Sequence, residues 1–81
     1  MDKAERAVVL TKLHSATDEA GAIQDDLDRV DVEIQMADGR SAWGILAGLY
    51  AREAELLHEK AKAVERVAAI TYALAELSPS G

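Results

Sequence analysis

The sequence predicts an all-α protein, a single antiparallel hairpin of two long helices that pairs with a second copy as a homodimeric four-helix bundle or coiled coil. Three observations carry that expectation. Apolar residues recur at alternating spacings of three and four through most of the 81 residues, the period of helices that pack along a seam. A single cluster of turn formers, Asp38-Gly39-Arg40-Ser41, interrupts the pattern. No run of β-branched residues alternates with polar ones, so strand signals are missing.

Helix 1 is expected over about residues 2–37. Val9, Leu13, Ala16, Ala20, Ile23, Leu27, Val30, Ile34 and Ala37 form a narrow seam. Lys12, Glu19, Asp26 and Glu33 flank it on one side, and Thr17, Gln24 and Asp31 on the other. Gly21 weakens the helix locally by about 1 kcal/mol without ending it. Gly39 then provides the stop, and Ser41 is placed to cap the next helix with its side-chain oxygen.

Helix 2 is expected over about residues 42–77, each helix being roughly 50 Å long at 1.5 Å per residue. Its apolar arc is wider than one seam requires. Ala47, Ala54, Ala61, Ala68 and Ala75 recur every seventh residue. Beside them run Trp43, Tyr50, Leu57, Val64 and Thr71, then Leu46, Val67 and Leu74, then Leu49, Leu56, Ala63, Ile70 and Leu77. Residues 1–77 form one domain, and 78–81, which hold the only proline, Pro79, form a short flexible tail.

Folding at Gly39–Arg40 pairs residues whose numbers sum to about 80. Ile34 then meets Leu46, Val30 meets Tyr50, Ile23 meets Leu57, and Leu13 meets Val67. Half of the helix 2 arc is left over, and an exposed apolar stripe of that length marks an interface. The expected dimer contact is Leu49, Glu53, Leu56, Lys60, Ala63, Ile70 and Leu77, with the alanine row as the other candidate. Glu53 and Lys60 fall inside the arc, where an unpaired charge is costly. An antiparallel crossing near Leu56–Leu57 would bring Glu53 close to Lys60 of the second copy.

Composition bounds the function. A chain of this length buries only about 60% of its unfolded surface, so a lone core is marginal. With no cysteine, disulfides and thiolate metal sites are excluded, which leaves self-association, or a metal held by carboxylates and histidine, as a stabiliser. The net charge of −6 argues against direct nucleic-acid binding, which needs clustered Lys and Arg. The longest apolar run, residues 42–51, is far short of the roughly 20 needed to span a bilayer. The first residues lack the apolar stretch of a signal peptide, so a cytoplasmic location is expected.

Three features bear on function. Glu55-Leu56-Leu57-His58 has the Glu-x-x-His spacing that lets two residues on one helix reach one metal, and resembles the motif of the encapsulated ferritins. That resemblance implies an oxidase with Glu55 and His58 as ligands and Asp28, Asp31 or Glu33 as the helix 1 carboxylate. Trp43-Gly44 near the turn and Tyr72-Ala73-Leu74-Ala75-Glu76 resemble the WXG100 family of secreted helical hairpins, although here Trp is followed directly by Gly. Asp18, Glu19, Asp25, Asp26, Asp28, Asp31 and Glu33 form an acidic stretch suited to docking a protein with a basic surface, as in phage-type inhibitors of nucleic-acid-binding proteins. His14 and His58 lie on different helices and apart in the hairpin register, Ser15, Ser41 and the Ser78–Ser80 tail have no evident base, and the glycines form no phosphate loop. A non-enzymatic interaction or scaffolding protein without metal or cofactor is the expectation these features leave.

Overall fold

The structure, a computed structural model, describes residues 3–77, with side chains described through residue 76. Helix α1 runs Lys3–Gly39 and helix α2 runs Trp43–Leu77. They pack antiparallel into a rod with extents of 60 × 16 × 14 Å, and no strand occurs among the described residues. The expected spans of 2–37 and 42–77 are met within two residues. The 78–81 tail lies outside the described residues. Gly21 sits inside an unbroken α1. Among the described residues, no helix is long and apolar enough to cross a membrane.

The seam read along helix 1 is the face that α1 buries. Ala16, Leu27, Val30, Ile34 and Ala37 are buried, and Val9, Leu13, Ala20 and Ile23 are half-buried. Leu27, Val30, Ile34 and Ala37 form one cluster with Leu46 and Leu56 of α2, and Ile23, Ala42 and Leu49 pack against it. Each Leu or Ile fully withdrawn from water in this way contributes roughly 1.5–3 kcal/mol.

The connection differs from expectation in its particulars. Gly39 is the last residue of α1, and Ser41 adopts the left-handed conformation with φ of 53°. The Ala42 N–H donates to the Ala37 carbonyl at 3.0 Å, and the Ser41 N–H to the Asp38 carbonyl at 3.0 Å. These are the two bonds of a Schellman motif, which satisfies carbonyls that the helix end would otherwise orphan. Ala42, not Ser41, is the N-cap of α2, because its carbonyl accepts from the Leu46 N–H at 2.9 Å. Ser41 contributes a backbone carbonyl that accepts from the Trp43 N–H at 3.1 Å.

Because α1 continues two residues further than expected, the pairing slips. Lys60 Nζ donates to Gln24 Oε1, and Arg66 donates to Glu19 Oε2 at 2.7 Å. Paired numbers therefore sum to about 84–85, not about 80. The face of α2 turned toward α1 is correspondingly different. Leu46, Leu56 and Ala63 are buried, with Leu56 at 1% and Ala63 at 0% exposure. Leu49, Glu53, Lys60, Val67, Ile70 and Leu74 are half-buried.

This corrects the expected dimer contact. Leu49, Glu53, Leu56, Lys60, Ala63 and Ile70 line the inside of the hairpin, and the side chain of Leu77 lies outside the described residues. Conversely, Tyr50, Leu57 and Val64, expected inside, are about half exposed at 53%, 52% and 49%. The physical reason lies in the side chains. The inner rows carry most of the leucines of α2, Leu46, Leu49, Leu56 and Leu74, which fill a helix–helix seam, while Trp43 and Tyr50 have polar tips that favour a wet edge. Glu53 and Lys60 do not forbid the inner position, because long stems lie along apolar surface while their heads reach the rim. Lys60 finds Gln24 there, so the expected ion pair between Glu53 and a second copy's Lys60 has lost one partner to an intrachain bond.

Candidate functional site

The feature that stands out is the outer face of α2. Its exposed rows are Trp43, Tyr50, Leu57, Val64 and Thr71, alternating with Ala47, Ala54, Ala61, Ala68 and Ala75. Read together, their spacing is four, three, four, three along the whole helix, so they constitute a second seam of the kind that already faces α1. At 3.6 residues per turn the two seams are centred about 100° apart around α2. No position of the outer seam carries a charge. The Thr71 hydroxyl donates to the Val67 carbonyl at 2.8 Å, so its polar group is satisfied within its own helix. Tyr72, 69% exposed, lies beside the seam. A Cβ added to Gly44 or Gly48, on the same outer side, would meet nothing within 4 Å.

Other exposed apolar side chains do not join into a comparable surface. Val8 and Val32 stand on α1 away from α2, and Met36 and Ile45 flank a shallow hollow at the turn end with Glu33, Arg40 and Leu49. Single exposed apolar residues of this sort are ordinary.

The acidic residues do not form one face. At 100° per residue, Asp18, Asp25, Asp26, Asp28, Asp31 and Glu33 distribute over the entire solvent side of α1. Several are engaged locally. Glu19 pairs with Arg66, and Asp26 lies 3.8 Å from Arg29. Asp28 accepts from Gln24 at 2.9 Å and Asp31 from Gln35 at 3.1 Å. The contiguous acidic docking face expected from the sequence is thus a dispersed, solvated belt.

Glu55 and His58 are exposed on the side of α2 turned away from α1. Glu55 lies 3.4 Å from Arg52. Asp28, Asp31 and Glu33 sit on the other helix beyond the seam, so the helix 1 carboxylate implied by the ferritin resemblance cannot reach them. No group of three or more His, Asp or Glu is placed to hold a metal among the described residues. Trp43 begins α2 itself, outside the connecting turn, and Tyr72 and Glu76 lie within α2.

No family model, no curated protein and no solved structure matches this chain. The outer seam therefore has to be read from its own chemistry. It is legible in part from the sequence, where the alanine row is an alternative contact; its partnership with the Trp43–Tyr50–Leu57–Val64 row emerges only from the rotation of α2. The signal in the sequence is that these two adjacent rows both lack charge, whereas the pair that faces α1 includes the row interrupted by Glu53 and Lys60.

Proposed function

We propose that this chain is a non-enzymatic interaction module, a helical hairpin that uses the outer seam of α2 to bind protein, and first of all another copy of itself. The observation that carries the reading is the continuous uncharged seam from Trp43 to Ala75, with its large members about half exposed or more. An apolar stripe of that length on a small chain marks a contact surface. The hairpin also has reason to need one. It is two helices thick, and among the described residues three of the eight buried ones are alanines, a small core for a chain that has no cysteine to form a disulfide.

Molar mass by light scattering, measured over a range of concentrations, tests this. The expected value is near twice the 8.7 kDa chain mass, with Leu57→Glu and Val64→Glu variants remaining helical but monomeric. A parent protein that stays monomeric at every concentration, with a helical signal as strong as that of the variants, overturns the reading.

A further inference from the structure

We infer that the outer seam is occupied by the outer seam of a second copy running antiparallel, centred at Glu59, so that each large side chain of one α2 packs on an alanine of the other. This rests on the interaction-module reading and names its partner and its geometry.

The argument begins with size. In an antiparallel seam, residues of one row face residues of the other row, whereas in a parallel seam each row faces itself. Centred at Glu59, antiparallel pairing sets Leu57 against Ala61, Val64 against Ala54, Tyr50 against Ala68, and Trp43 against Ala75. Every layer then holds one large and one small side chain, which is the condition for even packing. Parallel pairing would stack Trp43, Tyr50 and Leu57 each on its own copy and leave alanine on alanine between them. Its layers would be crowded and hollow in turn, and both conditions are destabilising.

The layout of charge along α2 supports the same centre. Residues 43–51 and 67–75 contain no charged side chain, while every charge of the helix before Glu76 lies between Arg52 and Arg66. Reversal about Glu59 lays the uncharged first part of one helix over the uncharged last part of the other. It also finds a place for Tyr72. The row beyond the alanines is Gly44, Ala51, His58, Glu65 and Tyr72. Reversed about Glu59, the exposed Tyr72 ring of one copy comes to the smooth surface between Gly44 and Ala51 of the other, where nothing now stands within 4 Å of a glycine Cβ position. On the same edge, His58 comes between His58 and Glu65 of the other copy, nearer the former.

The area suffices. From residue 43 to residue 75 the seam is about 48 Å long, and a helix is about 10–12 Å across. That is about 500 Å² on each copy and about 1,000 Å² in all, the lower bound for a specific interface. Aromatic members raise the yield per residue.

Because the chain has no cysteine, single thiols report the geometry. Ala54→Cys and Val64→Cys are both exposed positions, and either variant should fold as the parent does. Each is oxidised alone and in an equimolar mixture, and covalent dimers are separated by mass. The expected result is efficient cross-linking only in the mixture, since Ala54 faces Val64 across the seam while like positions lie about 15 Å apart along the axis. Cross-linking of each variant with itself, in a protein whose mass is that of a dimer, overturns the antiparallel arrangement and leaves the interaction module standing. A dimer by mass that cross-links in none of the three samples places the contact elsewhere and also overturns the inference. A monomer by mass removes the module reading along with it.

Discussion

Leu56 and Leu57 are adjacent in sequence, and the structure assigns them opposite fates, which makes them a sensitive test of how α2 is rotated. Leu56 is 1% exposed inside the hairpin, and Leu57 is 52% exposed on the outer seam. Truncation of leucine to alanine removes three carbons, worth about 0.8 kcal/mol each when fully buried. For Leu56→Ala the transfer loss alone is therefore about 2.5 kcal/mol. A cavity contribution adds to it, though the sides of a two-helix rod let neighbours relax inward, and a total of about 3 kcal/mol is expected. For Leu57→Ala, half of the transfer loss applies within one chain, about 1 kcal/mol. Urea titrations followed by far-UV circular dichroism give both values, with the slope expected to be unchanged. They should be run at several protein concentrations, because contacts between copies make unfolding concentration-dependent. At the lowest concentration Leu56→Ala should be the more damaging by about 2 kcal/mol, and the cost of Leu57→Ala should grow as concentration rises. If Leu57→Ala is at least as damaging as Leu56→Ala in dilute protein, the rotation of α2 described above is wrong and Leu57 belongs inside.

The turn, the rim and the net charge give three further tests. Ser41 holds a left-handed φ of 53° without being glycine, so Ser41→Gly should raise stability by about 0.5–1 kcal/mol in thermal or urea unfolding. Gly39 is helical with open space at its Cβ position, so Gly39→Ala should also stabilise, by about 0.5–1 kcal/mol; loss of stability in Gly39→Ala would mean that Gly39, not Ser41, makes the reversal. The Arg66–Glu19 pair is close at 2.7 Å but about half exposed on both sides, and a double-mutant cycle should return a coupling of only about 0.2–1 kcal/mol that fades with salt. Each copy carries a net charge of −6, and the outer seam carries none, so added salt should tighten self-association by screening repulsion; weakening with salt would point to an ionic contact instead.

Much of this fold could be read from the sequence because its signal is periodic. The nine seam residues of α1 are a single narrow stripe with charges on both sides, and only one orientation buries them. The ends of both helices followed from the one turn cluster. In α2 the same reasoning was underdetermined. Four adjacent apolar rows offer three adjacent pairs that could face α1, and the choice depends on where the turn leaves Ala42. The glycine at position 39 suggested a stop there, whereas the chain reverses two residues later through Ser41, a residue whose left-handed conformation no simple preference foretells. That displacement carries the register from about 80 to about 84–85 and exchanges the Trp43–Tyr50–Leu57–Val64 row for the Leu49–Leu56–Ala63–Ile70 row on the inner face, while the Leu46 row stays inside. The acidic residues misled for a different reason. They are dense in sequence, but a helix turns successive residues by 100°, so density along the chain becomes dispersion around it.

The difference between the helices also limits the assembly. Helix α2 has two seams about 100° apart, close to the right angle at which a helix touches two neighbours in a square bundle. Helix α1 has one, and its rows on the side next to the outer seam carry Thr17, Gln24, Asp28, Asp31 and Gln35. An antiparallel pair of α2 helices is related by a twofold axis perpendicular to both, which carries the two α1 helices to the same side of the pair. There they stand beside each other with polar rows between them, wet rather than packed. In the proposed dimer each copy would spend its outer seam on the identical seam of the other, so the contact would be isologous and close on itself. A third copy would need a second long apolar surface, and α1 does not supply one. A heterologous chain of hairpins would need the same missing surface. The expected species is thus a dimer that does not grow, and the polar α1 faces, not the apolar α2 faces, are what such a dimer presents to water.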